Sequence, residues 1–187
     1  MTDSPITDTK ALRALSHPFR WKLLQLLIEL GPYTATQCSE KLGESVASCS
    51  YHLNMLAKYG FVEEVEGPGR QKPWKIVSKR QSIDPDGLEG EAAMAAEAAS
   101  MAYLDQEFER IRHRFRQREH LPEEWRKKVI TEGTIKFLTP EEAAEYQREL
   151  EALLDKYEDR RLDESARPEG ARPVRYFLAI TVTPEAE

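Results

Sequence analysis

Residues 43–74 read GESVASCSYHLNMLAKYGFVEEVEGPGRQKPW, and the hydrophobic period changes within this one stretch. Cys49, Leu53 and Leu56 recur at i, i+4 and i+7, which predicts a helix over 45–59. Ser45 is a good N-cap and Gly60 a good stop. Phe61 to Glu66 then alternate as a strand, and Gly67-Pro68-Gly69 is a turn. Arg70, Gln71 and Lys72 form its basic tip, and Trp74, Ile76 and Val77 read as the return strand. A helix followed directly by a hairpin admits few architectures. The apolar stripe of the helix must be covered by other helices, and the hairpin must stand beside it as a wing.

The covering helices are legible upstream. Ala11, Leu12, Ala14 and Leu15 predict a short helix started by Thr7 or Asp8 and stopped at Ser16-His17-Pro18. Proline suits the first turn of the next helix, so His17 reads as its cap. Trp21, Leu23, Leu24, Leu27, Ile28 and Leu30 leave little polar face, as expected of a central helix closed by Gly31-Pro32. Tyr33-Thr34-Ala35 reads as a short strand, and 36–42 as a helix ended by Gly43.

The face of 45–59 opposite the apolar stripe holds Ala47, Tyr51, Asn54 and Lys58, with Ser48 and Met55 beside it. It carries no carboxylate, whereas a merely solvated face mixes Glu with Lys. The charge distribution agrees. Residues 10–80 hold 11 Lys+Arg against 6 Asp+Glu, and 81–187 hold 16 against 25. A basic half inside a chain of net charge −6 suits contact with phosphate. Arg13, Arg20 and Lys22 are candidates to hold the flanking phosphate backbone.

Beyond a polar connector at 78–87, where a domain boundary is expected, Leu88 to Glu119 reads as one long helix. Met101, Leu104, Phe108, Ile111 and Phe115 are spaced 3, 4, 3, 4 along it, which calls for a partner helix. Packing within the chain is the alternative. The run RIRHRFRQR at 110–118 reads as a solvated face paired with Glu107, Glu109 and Glu119, with contact to DNA or an anion as the alternative. After a short helix at Leu121–Trp125, residues 134–138 and 174–182 read as strands. A helix from Thr139 to about Arg160 lies between them, with Tyr146, Leu150, Leu153, Leu154 and Tyr157 inward. That makes a β-α-β unit over about 125–183. Trp125, Tyr146, Tyr157, Tyr176 and Phe177 are candidates to line an effector pocket, with plain core as the alternative.

Several short motifs fall in order: Ser-His-Pro-x-Arg at 16–20, Leu-Gly-x-Ser at 42–45, Ser-x-His-Leu at 50–53, Leu-x-x-x-Gly-Phe-Val at 56–62 and Gly-Arg at 69–70. Together they resemble the ArsR-type winged helix-turn-helix regulators over about residues 10–80. The resemblance implies a homodimeric, sequence-specific DNA-binding regulator, usually a repressor. It implies that Ser45, Ala47, Ser48, Ser50, Tyr51 and His52 face DNA and that Arg70 is the wing arginine. Metal-sensing members carry a Cys-Val-Cys motif. Here Cys38 and Cys49 stand singly where aliphatic residues are usual, so no such metal site is implied.

The expected fold is mainly α with small β: a winged helix-turn-helix domain at 1–80, then 81–187 with the dimerisation helix at about 88–119 and the C-terminal unit. The expected function is DNA-binding transcriptional regulation as a dimeric repressor. The helix at 45–59 would lie in the major groove, and the wing at 61–77 on backbone or minor groove. Asn54, Lys58, Arg70, Gln71 and Lys72 join the DNA-facing set. The alternative is a small-ligand sensor or protein-interaction module worked by the C-terminal half. No cofactor or metal is called for, and enzyme motifs such as a Gly-rich phosphate loop or nucleophile elbow are lacking. Double-stranded DNA and a second copy are the expected partners, with an unidentified small-molecule effector left open. The polar, acidic Met1–Thr9 and the lack of a long apolar run point away from secretion or membrane insertion and toward the cytoplasm.

Overall fold

The computed structural model describes residues 6–77, 83 and 85–183. The chain falls into two compact units that divide between Leu121 and Pro122. Among the described residues it is mainly helical with one two-stranded sheet, the class expected from the sequence.

The first unit begins with α1 (Thr9–Leu15) and α2 (Pro18–Leu30). Asp8 caps α1 by accepting from the Ala11 amide at 2.7 Å. His17 caps α2, its Nδ1 accepting from the Phe19 amide at 3.2 Å. Helices α3 (Ala35–Leu42) and α4 (Val46–Lys58) follow, and then β1 (Val62–Glu64) and β2 (Trp74–Ile76). The strands pair antiparallel with Val62 opposite Ile76 and Glu64 opposite Trp74. The strand expected at 33–35 shrinks to a single bridge, Tyr33 exchanging both backbone hydrogen bonds with Trp74 at 3.1 and 2.8 Å. That bridge ties the hairpin to the chain entering α3.

Leu12, Leu15, Leu23, Leu24, Leu53 and Leu56 are fully buried. Burial of each such side chain is worth about 1.5–3 kcal/mol. Helix α5 (Gly90–Arg116) closes the unit by packing along α1 and α2. Ala95, Ala96, Ala99 and Ala102 are its buried apolar residues, and Glu107 is buried as well. Small side chains let the helix backbones approach closely. The compact unit therefore ends well after the boundary expected at 78–87, a segment of which 78–82 and 84 lie outside the described residues. An Ala-rich stretch reads in sequence as good helix former, and its use as a contact face needs α1 in place.

The second unit contains α6 (Glu123–Arg126), α7 (Pro140–Asp155) and α8 (Asp159–Leu162). A capping box starts α7. Thr139 Oγ1 accepts from the Glu142 amide at 3.3 Å, and Glu142 Oε2 accepts from the Thr139 amide at 2.8 Å. The expected β-α-β unit is not formed. Residues 134–138 and 174–182 belong to no strand, and α7 ends before Lys156 and Tyr157, the latter at φ +72°. None of the described side chains of this unit is buried. Tyr146, Leu153 and Tyr157, expected inward, are exposed. Two strands make a marginal sheet in water, so the alternating pattern alone did not bring them together.

Candidate nucleic-acid interface

Helices α3 and α4 meet through the three residues Gly43, Glu44 and Ser45. A capping box starts α3. Thr34 Oγ1 accepts from the Gln37 amide at 3.2 Å, and Gln37 Oε1 accepts from the Thr34 amide at 2.8 Å. Gly43 ends it at φ +71°, a left-handed conformation that a Cβ would strain. Ser39 Oγ donates to the Glu44 carbonyl at 2.5 Å, and Ser45 Oγ accepts from the Ser48 amide at 3.1 Å. The turn is thus held on both sides. Under it lie Cys38, Cys49, Leu53 and Leu56, all fully buried. Burial, together with the nearby Cys49, pushes the Cys38 thiol up to about 12, and burial also raises Cys49. Both behave as neutral core groups. Among the described residues no three His, Cys, Asp or Glu side chains are grouped to hold a metal ion.

The outward side of α4 presents Ala47, Tyr51, Asn54 and Lys58, all exposed, with Ser48, Ser50 and Met55 half-buried. Tyr51 stands out at 60% exposure. Asn54 Nδ2 donates to the Ser50 carbonyl at 2.8 Å. That bond holds the amide against its own helix and leaves Oδ1 and the second N–H for another partner. Val46 is also exposed, at 44%. It escaped the sequence reading because a β-branched apolar residue at a helix start reads as core.

His52 is placed otherwise. Expected to face DNA, it makes an internal hydrogen bond instead. It is 9% exposed, and its Nδ1 accepts from Arg20 Nε at 3.3 Å. Its ring lies 4.6 Å from that of His17 and 5.1 Å from those of Phe19 and Tyr51. Burial, His17 and Arg20 all lower the His52 pKa, against a weaker pull from Glu44. Burial and Arg20 lower that of His17. Arg20, expected on the DNA backbone, is an internal strut. It is 8% exposed, and its Nη1 donates to the Ala14 carbonyl at 2.6 Å. One guanidinium thereby joins the end of α1, the start of α2 and α4. Burial desolvated it in a way that a helical wheel of α2 alone does not show.

The basic surface is correspondingly narrower than the sequence count. Arg13 pairs with Glu91 of α5. Lys72 on the wing lies 3.5 Å from Glu64, and Lys75 lies 3.0 Å from Glu63. Arg70, at the wing tip with Gln71, is exposed and forms no ion pair with another described residue. Lys22 and Lys58 are exposed as well. Gly67 sets the wing turn, since a Cβ there would meet Pro73 Cδ at 2.7 Å.

Helix α5 carries two unlike faces. Toward α2, Gln25 Nε2 donates to the fully buried Glu107 at 2.6 Å, and Trp21 packs on Tyr103 with ring centroids 4.8 Å apart. Glu29 of α2 takes Arg110 at 2.5 Å and Arg114 at 2.6 Å. The arginine run is therefore partly an inter-helix clamp rather than only a face paired along its own helix. The other face exposes Met94, Met101, Phe108 and Phe115, with Leu104 and Ile111 half-buried. In the second unit, the aromatic faces suggested for a pocket carry cations instead. Arg172 lies 5.9 Å from the Trp125 ring, Lys136 lies 5.7 Å from Tyr146, and Arg160 lies 4.2 Å from Tyr157. No helix among the described residues is long and apolar enough to cross a membrane.

The family described as a helix-turn-helix domain matches residues 15–65. The chain carries a helix-turn-helix domain. The match runs from the end of α1 through all of α4 and β1, and it leaves the wing tip at Arg70–Lys72 outside. No curated protein matches the chain. A helix-turn-helix domain supports DNA binding and transcriptional regulation. The second helix of the matched pair is α4.

Proposed function

We propose that this chain is a dimeric, sequence-specific transcriptional repressor of the ArsR-like winged type. The observation that carries the proposal is the exposed face of α4, with Ala47, Tyr51, Asn54 and Lys58 and no carboxylate. A helix with side chains is about 10–12 Å across and fits the major groove, about 12 Å wide. Tyr51 and Asn54 supply groups for base edges, and an Asn amide pairs bidentately with adenine. Ser45 and the first amides of α4 suit a phosphate. Arg70 reaches backbone or minor groove from the wing. α4 has no arginine, so guanine readout by a guanidinium fork falls to Arg70, and DNA shape supplies part of the specificity.

The dimer rests on α5. Met94, Met101, Phe108 and Phe115 fall at a strict seven-residue period, the spacing of a coiled-coil seam. No other helix among the described residues is as long as α5, so a second α5 is the partner that matches it. Two α4 helices across such a dimer would read two half-sites.

Selection from a random DNA pool, followed by gel shift across salt, tests the reading. Binding tighter than about 10⁻⁶ M at low salt is expected for the selected site. Arg70→Ala should weaken binding to all sequences and flatten the salt slope by about one unit per subunit. Tyr51→Ala should change the selected sequence. Failure to enrich any sequence would refute sequence-specific recognition.

A further inference from the structure

Tyr51 is 60% exposed on α4, yet its ring is held. Neighbours i and i+1 point about 100° apart on a helix and do not ordinarily meet. Here the Tyr51 ring packs edge to face with that of His52, centroids 5.1 Å apart and planes at 77°, a geometry that aromatic pairs favour. The contact turns Tyr51 sideways along the flank of the helix. The ring it leans on is itself fixed. His52 is buried, its Nδ1 accepts from Arg20 Nε at 3.3 Å, and the rings of His17 and Phe19 lie 4.6 and 5.1 Å away at 49° and 67°. Arg20 is anchored in turn on the Ala14 carbonyl at 2.6 Å.

A chain of contacts therefore runs from the end of α1, through Arg20 and His52, to an exposed tyrosine on the carboxylate-free face of α4. Core packing does not account for the last link. Arg20, Phe19 and His17 hold His52 whether or not a tyrosine stands beside it, and Tyr51 adds little to the core at its exposure. What the last link does is restrict the ring of an exposed side chain to one orientation. A group already held in its bound orientation loses less freedom on binding. Asn54, the other candidate for base edges, is held in a comparable way, its Nδ2 donating to the Ser50 carbonyl at 2.8 Å.

We propose that His52 is a positioning residue whose ring sets Tyr51 for reading one base pair. The inference rests on the DNA-reading part of the proposed function and is independent of the dimer. Two parts of the imidazole do different things. Its Nδ1 gives the buried Arg20 an acceptor and so supports the fold. Its ring holds Tyr51 and so supports discrimination between base pairs.

Gel shifts of the full chain test this on the selected site and on the same site changed at the base pair whose preference Tyr51→Ala alters. The ratio of the two Kd values is the discrimination, and a fraction of unfolded protein cancels from it. His52→Gln keeps an acceptor for Arg20 and removes the ring. It should lower discrimination at that base pair about 2–10-fold, the worth of an aromatic pair, and leave the other positions unchanged. His52→Phe removes the acceptor and keeps a ring against Phe19 and Tyr51, and it should retain the discrimination. In a Tyr51→Ala background, His52→Gln should have no further effect on the ratio. An unchanged ratio in His52→Gln overturns the proposal. So does an equal loss in both His52 variants, or an affinity lowered alike for all sequences, as a merely structural histidine would give. If His52→Phe fails to fold, the cycle between positions 51 and 52 decides alone. A Tyr51→Ala chain that selects the original sequence refutes base reading by Tyr51, which sinks the proposal at its foundation and is told apart from a failure of His52 to position a working reader.

Discussion

Replacing Arg20 with Met removes the guanidinium and keeps most of the aliphatic stem. Arg20 makes two buried hydrogen bonds, 2.6 Å to the Ala14 carbonyl and 3.3 Å to His52 Nδ1. The substitution leaves both acceptors without this donor, and an unsatisfied buried acceptor costs about 1–3 kcal/mol. Relief of the burial penalty on the charge, visible in the lowered Arg20 pKa, offsets part of that. The net expectation is a loss of about 2–3 kcal/mol. In urea denaturation this is a midpoint shift of roughly 1–2 M at an m-value near 1.5 kcal/mol/M. Arg20 also helps lower the His52 pKa, so NMR titration should show His52 moving up toward its ordinary value in Arg20→Met. The salt slope of DNA binding should stay unchanged, because the guanidinium is internal. A loss under about 0.5 kcal/mol would refute the strut. A salt slope flattened by about one unit would return Arg20 to the phosphate backbone.

Three more outcomes follow from the geometry. His17 and His52 have lowered folded pKa values, so their neutral forms favour folding. That stability is present in full above about pH 6.5 and is lost as pH falls through the lowered values. His52→Gln, which keeps an acceptor for Arg20, should reduce the pH dependence of the urea midpoint. Ser45→Ala removes the cap on α4 and should cost about 1 kcal/mol in the same assay. Gly67→Ala drives a methyl to within 2.7 Å of Pro73 Cδ. It should cost about 1–3 kcal/mol and weaken DNA binding with the preferred sequence unchanged, as read by repeating the selection.

The helices of the first unit were legible because period and punctuation agreed there. Asp8, His17 and Ser45 each sit at a helix start and make the capping bond their side chains suit, and Thr34, read in the sequence as part of a strand, caps α3. The Cys49, Leu53 and Leu56 stripe is buried as its spacing required. The outward set on α4 followed by subtraction, apart from His52. A wheel places His52 on the flank of the helix, and only the approach of α2 turns that flank into an interior. The same approach internalised Arg20, and α5 took up Arg13 through Glu91. The net +5 of residues 10–80 was real, but a sum over residues does not say which charges pair.

The C-terminal half shows the opposite balance. Its helix α7 was announced by Thr139-Pro140 and the capping box, a local signal that needs no tertiary partner. Its strands were expected from short apolar runs, but a strand needs a second strand at hydrogen-bonding distance, and neither segment has one among the described residues. By itself, then, the sequence determined the elements whose causes are local: caps, stops, helical stripes and the wing turn at Gly67. Only the tertiary structure decided which polar groups pair across helices, such as Arg20 with His52, Gln25 with Glu107 and Arg110 with Glu29, and which apolar side chains stay exposed. The physical reason is that burial and pairing belong to neighbours brought together by the fold, and distance along the chain does not encode them.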